Sequence, residues 1–165
     1  KPPFRLAEGM DRAGLERAVA ALAAGRAAFR AAPLVLRRLG RFYALVLSEP
    51  SADLAALAGA CVEDLDPFRA PPGEAELARR QAAGLSARQE ALLARWGYPY
   101  VFEEFRFHLT LSGPLSPEEA APVAEPLAAL TAPFCADPFE VRELTLFGER
   151  ADGAFEVIGR YPLGA

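Results

Sequence analysis

Apolar positions along the chain change period several times, and each change marks an element. Over 11–24, Leu15, Val19 and Leu22 recur at helical spacing, and Gly25 supplies a stop. Two apolar runs, 34–39 and 42–47, meet at Gly40 and predict an antiparallel hairpin, with Arg37, Arg38 and Arg41 as its solvated tip. Ser51 then caps a helix carrying Leu54, Leu57, Cys61 and Leu65. Pro67, Pro71 and Pro72 break that pattern into a loop over 66–73. A short charged helix over 74–83 ends at Gly84. Ser86 and Gln89 form a capping box that opens another helix, which runs to Trp96 and closes at Gly97. Tyr98-Pro99-Tyr100 is an aromatic turn.

The run 105–112 alternates at strand period. Phe105, Phe107, Leu109 and Leu111 share one face, which is expected to be buried. Arg106, His108, Thr110 and Ser112 share the other. A half-buried antiparallel strand with a solvated face has this pattern too. What sets this strand apart is the type of its polar residues: a cation, the only histidine of the chain, and hydroxyls two residues apart. Together they can offer an oxyanion a charge, a proton and a hydroxyl donor. Gly113-Pro114 ends the strand, and Ser116-Pro117-Glu118-Glu119 starts a helix that Pro122 and Pro126 are expected to kink or shorten. Two last strands, 139–147 and 155–161, flank a turn at Asp152-Gly153. Hairpins interspersed with helices predict an α+β fold, two-lobed, with mainly antiparallel sheets flanked by helices.

Composition narrows the function. At 165 residues one domain is expected, spanning 1–165. A hydrophobic fraction of 52% and mean hydropathy of +0.10 fit a globular chain. The net charge of -4 argues against long nucleic acid and anionic lipid as partners, so phosphate recognition has to be local. Cys61 and Cys135 are isolated and, with one histidine, have no metal-ligand spacing; they read as buried small residues. No cofactor or metal is expected. No apolar run is long enough to span a membrane, no signal peptide is visible, and a cytoplasmic location is expected.

His108-Leu109-Thr110-Leu111 followed by Ser-Gly-Pro-Leu resembles the H-x-T/S-hydrophobic motif of the 2H phosphoesterase superfamily, which includes 2'-5' RNA ligase-like proteins and cyclic nucleotide phosphodiesterases. Its flanks are more specific. Ala78-Arg79-Arg80-Gln81-Ala82-Ala83-Gly84-Leu85-Ser86-Ala87-Arg88-Gln89, Trp96-Gly97-Tyr98-Pro99-Tyr100 and Glu103-Glu104-Phe105-Arg106-Phe107-His108 resemble a branch encoded with phosphonate-degradation operons. Members carry two H-x-T motifs, and in this branch the first is followed by a segment resembling residues 1–7. The resemblance therefore implies that the N-terminal strands and the first catalytic histidine are missing from this sequence, and that the chain as it stands is inactive.

The implied chemistry is metal-independent attack on a small phosphodiester or nucleotide, often a cyclic one. One imidazole takes a proton from water and the other gives one to the leaving alkoxide. His108 and Thr110 are the catalytic candidates. Arg106 is the next phosphate contact, with an ion pair to Glu104 as its alternative. Lys1, Arg5 and Arg69 are further substrate-binding candidates, set against ordinary surface solvation. Tyr98 and Tyr100 are candidates for stacking a base or sugar, set against a place in the core. A 2'-5' ligase-type RNA-processing enzyme and a non-catalytic nucleotide- or phosphate-binding module are the alternative functions.

Overall fold

Helix α1 (Arg12–Ala24) starts where Asp11 accepts the Gly14 N–H at 2.6 Å and ends at Gly25; it buries Leu15, Val19 and Leu22, as their spacing predicts, and Ala23 besides. The structure is a computed structural model that describes residues 3–82 and 84–164. The remaining elements are β1 (Phe29–Leu39), β2 (Phe42–Leu47), α2 (Ala52–Glu63), α3 (Glu74–Gln81), α4 (Ala87–Trp96), β3 (Leu109–Thr110), α5 (Pro117–Cys135), β4 (Pro138–Val141), β5 (Glu143–Glu149) and β6 (Phe155–Pro162). The class is α+β, and every pairing between the named strands is antiparallel. Two compact units share the chain. The first comprises Lys1–Ala28, Ala55–Phe105 and Arg142–Ala165; the second comprises Phe29–Leu54 and Arg106–Val141.

In the second unit the sheet order is β3-β2-β1-β4. Gly40 takes φ +58, a conformation open to glycine, and Leu39 pairs with Phe42 across the turn. That pairing fixes the register of the whole hairpin. Tyr43 and Leu45 share a face with their neighbours' Leu34 and Leu36, and the Tyr43 hydroxyl donates to the Ala120 carbonyl at 3.1 Å. This face is therefore the one covered by α5, and Leu34, Tyr43 and Leu45 are buried. β1 begins five residues earlier than the apolar run suggests. Its first half pairs with β4 through a register shift at Pro33, a residue that has no N–H for a regular ladder.

The expected strand over 139–147 is two strands in two different sheets. β4 completes the second unit, whereas β5 pairs with β6 in the first. The alternation itself changes phase here: Phe139 and Val141 are odd, but Leu144 and Leu146 are even. A strand cannot keep both sets on one face, so it breaks at Arg142.

The prolines of α5 do not end it. Pro122, Pro126 and Pro133 lie inside a continuous 19-residue helix. Spaced four and seven apart, they fall on one stripe, and all three are exposed. The carbonyls they leave without an intrahelical donor therefore face water. Ala120, Leu127 and Thr131 line the opposite, inward stripe, with Thr131 Oγ1 donating to the Leu127 carbonyl at 2.7 Å.

In the first unit, Val62, Leu92 and Val101 form a buried cluster against which Trp96, Tyr98 and Phe102 pack. Cys61 is buried there, whereas Cys135 at the end of α5 is half-buried, contrary to expectation. The capping box of α4 joins Ser86 and Gln89, and the helix closes at Gly97 with φ +73. α3 ends at Gln81; its expected end, Ala83, lies outside the described residues. Among the described residues no helix is long and apolar enough to cross a membrane.

Two predictions follow from these caps. Gly97→Ala puts a Cβ on a left-handed residue and within 2.8 Å of Arg69 Nη1, so it should lower stability by about 1–2 kcal/mol in urea unfolding. Gly97→Asn, which tolerates that backbone better, should cost less. In the capping box of α5, the Ser116 backbone N–H, then its hydroxyl and Arg41's charge, hold the Glu119 carboxyl below the usual carboxylate range. The stabilisation from a lowered folded pKa is present at neutral pH and lost as pH falls through that pKa. The stability gap between the natural protein and Glu119→Gln should therefore narrow on acidification, and an NMR titration should place Glu119 below an ordinary glutamate.

Candidate functional site

The polar run around His108 is less regular than its alternation predicts. Only Leu109 and Thr110 join the sheet, pairing with Leu45 and Ala44 at its edge. Side chains take up backbone groups at both ends of this short strand. At one end the His108 Nδ1 stands 2.9 Å from the Arg106 carbonyl. At the other, Ser112 Oγ accepts the Tyr43 N–H at 3.0 Å and donates to the Gly113 carbonyl. Residues 105–108 are outside the ladder, so strand alternation does not govern where Arg106 points. The apolar face is not buried along its length either: Leu109 and Leu111 are 41% and 37% exposed. An edge strand of two residues is too short to carry a covered face.

His108 and Thr110 nevertheless come to the same side of the sheet. Thr110 pairs with Ala44, and the next residue on that face of β2 is Phe42, whose ring lies 5.9 Å from the His108 ring. A carbonyl only accepts, so the bond to Arg106 places the proton on Nδ1. Nε2 has no hydrogen-bond partner among the described residues. Both residues are exposed.

The register adds a residue that was read from sequence only as part of a solvated tip. Arg37 pairs with Ala44, and Ala44 pairs with Thr110. Arg37, Ala44 and Thr110 therefore form one row across three strands on one face. The middle member, Ala44, is fully buried, and Arg37 and Thr110 are exposed on the strands to either side of it. Arg37 has no ion-pair partner among the described residues. Its neighbour Arg38 lies on the opposite face and donates to the Leu115 carbonyl at 3.5 Å. The hairpin length in the sequence, with a two-residue turn at Gly40-Arg41, contained this signal. Arg106 is exposed without an ion pair among the described residues, and Glu104 instead accepts a bond from Gln89 at 2.8 Å.

Arg5, Arg69, Tyr98 and Tyr100 belong to the first unit. Backbone bonds from Ala7 to Phe68 and from Ala70 to Arg5 lay the start of the described chain along the 66–70 loop. This brings Arg5 and Arg69 to one cleft of about 580 Å³, together with Arg79, Arg80 and Tyr98. Arg69 is not a plain surface residue: its side chain is 14% exposed and pairs with Asp66 at 2.8 Å. Tyr98 takes the Arg80 guanidinium over its ring at 4.9 Å and the edge of Tyr100 at 5.7 Å. Tyr100 is exposed and does not line the cleft. Lys1 lies outside the described residues. Arg79 and Arg80 were not candidates in the sequence, where a pair of arginines in a charged helix has no distinguishing mark. Among the described residues no three His, Cys, Asp or Glu side chains are grouped to hold a metal ion.

Two proteins similar to this chain are named ribose 1,5-bisphosphate phosphokinase PhnN. The one from Janthinobacterium sp. (strain Marseille) is 39% identical over 158 residues, 93% of this chain and 35% of its own length. The one from Laribacter hongkongensis (strain HLHK9) is 37% identical over 155 residues, again 93% of this chain and 35% of the relative. The chain thus spans well under half the length of these relatives. No solved structure matches it. Residues 1–156 match the family described as "Protein of unknown function (DUF1045)", and the chain belongs to that family.

Proposed function

We propose that this chain supplies part of the acid–base machinery of a metal-independent phosphodiesterase of the 2H type, acting on a small cyclic phosphodiester during phosphonate breakdown. The observation that carries the reading is the His108 imidazole, its Nε2 without a hydrogen-bond partner among the described residues, on the same sheet face as Thr110 and Arg37. Water attacks phosphorus, a new P–O bond forms, and the bond to the leaving oxygen breaks. Nε2 of His108 is suited to one of the two proton transfers, from the water or to the leaving alkoxide. Thr110 donates to a non-bridging oxygen, and Arg37 offsets the charge gathering there. The 165 residues contain one histidine, so the second proton-transfer group is a residue of another type or one outside this sequence.

The similar proteins bear an enzyme's name, and that name contains a phosphorylated ribose, which supports a phosphorylated sugar as the substrate's core. The name is a phosphokinase's. This stretch has a single lysine, Lys1, and no G-x-x-x-x-G-K-[ST] phosphate loop, so its own chemistry is read through His108 instead.

The protein carrying this chain should hydrolyse a ribose 1,2-cyclic phosphate or a 2',3'-cyclic nucleotide, and turnover should survive a chelator. Activity that vanishes with chelation and returns with zinc or manganese would overturn the mechanism. His108→Ala should lower kcat/KM by about 10²–10⁴ while leaving the thermal midpoint nearly unchanged. Thr110→Ala should cost roughly 10²–10³, and Thr110→Ser should retain much of the rate because the hydroxyl survives. A His108→Ala protein that melts much earlier but keeps normal activity per folded molecule would make His108 a structural residue.

A further inference from the structure

We propose that the arginine-lined cleft of the first unit is a binding site for a small phosphate monoester of a sugar, with Arg5 and Arg79 as its phosphate contacts. The inference does not rest on the reaction assigned to His108.

Four guanidiniums, of Arg5, Arg69, Arg79 and Arg80, line one cleft in a chain whose net charge is -4. They fall into two pairs. Arg69 and Arg80 are held in place. Arg69 is fixed by Asp66 at 2.8 Å and by the Arg95 carbonyl at 3.4 Å, in space left by the missing side chain of Gly97. Arg80 is fixed by Glu76 at 2.7 Å and lies over Tyr98. Their charge is largely balanced by those carboxylates, so they form the wall of the site. Arg5 and Arg79 are exposed and have no ion-pair partner among the described residues. Arg5 lies against Gly73, where an added Cβ would be 3.6 Å from its Nη2. Two unneutralised planar forks at one cleft suit a dianion, which each can grip through two parallel N–H bonds.

The rest of the lining sets what the phosphate is attached to. Glu149 reaches the cleft with an exposed carboxylate. A carboxylate repels a second phosphate but accepts bonds from hydroxyl groups, as a sugar provides. Tyr98 and Phe155 add apolar surface for a ring face. The cleft volume of about 580 Å³ lies in the usual range of small-ligand sites, ~300–1,000 Å³.

Ribose 5-phosphate is the probe, titrated calorimetrically into the protein carrying this chain, with ribose and inorganic phosphate alongside. The expected result is saturable binding of ribose 5-phosphate that weakens with added salt, with inorganic phosphate at least several-fold weaker and ribose not bound. Arg5→Gln and Arg79→Gln, both at exposed positions, should each weaken it by roughly 10-fold or more with the circular dichroism unchanged. Arg79→Lys keeps the charge but loses the fork and should fall between. His108→Ala should leave this binding intact, so loss of turnover and loss of this site are told apart. Absence of saturable binding, undiminished binding in the Arg5→Gln, Arg79→Gln double variant, or inorganic phosphate binding as tightly as the sugar phosphate would each overturn the proposal.

Discussion

The two-residue turn at Gly40 and Arg41 sets the register on which the second unit depends. Once Leu39 is paired with Phe42, every later pair of the hairpin follows, out to Leu34 with Leu47. Slipping the pairing by one residue would exchange the two faces of β2 completely. Tyr43 and Leu45 would leave α5, and Ala44, fully buried now, would change sides. The same register aligns Arg37, Ala44 and Thr110 in a row. Fold and candidate chemistry thus share one constraint: a glycine able to hold positive φ at the tip.

The edge of that sheet shows how polar side chains turn a strand into a site. A longer β3 would spend the polar groups of 105–112 on a solvated face. Instead, His108 bonds to the Arg106 carbonyl, and Ser112 takes the Tyr43 N–H that Leu111, which donates to the Tyr43 carbonyl, would otherwise accept from. The bond at His108 assigns the Nδ1 proton and restrains the ring beside Phe42. Among the described residues the hydroxyl of Thr110 has no backbone partner of that kind.

In the first unit the arginines are sorted by their partners rather than by their positions in sequence. Asp66 is three residues before Arg69, and Glu76 four before Arg80, spacings that let each carboxylate reach its cation locally. Pairs of this kind contribute little to stability when exposed. At 14–21% side-chain exposure for the two arginines they serve instead to hold direction. Arg79, next to Arg80 in the chain but on another side of α3, has no such partner among the described residues.

Local sequence determined the elements whose signals are local. The caps at Ser51, Ser86 and Ser116, the stop at Gly97, the hairpin at Gly40 and the antiparallel α+β class were all legible, because each rests on residues within a few positions of one another. The identity of His108 and Thr110 as candidates was legible too, since residue type and spacing of two suffice. Tertiary structure decided the rest. It divided 139–147 between two sheets, although the phase change from Val141 to Leu144 was there to be read. It kept α5 whole by turning its prolines to water, which depends on which stripe the sheet covers. It left β3 at two residues, beside side-chain bonds that no alternation pattern contains. It also aligned Arg37 with Thr110 across Ala44 and gathered Arg5, Arg69, Arg79 and Arg80 at one cleft, because residues far apart in the chain meet only when strand register and loop path are set by packing. A charged side chain on a surface carries no mark in sequence of what faces it.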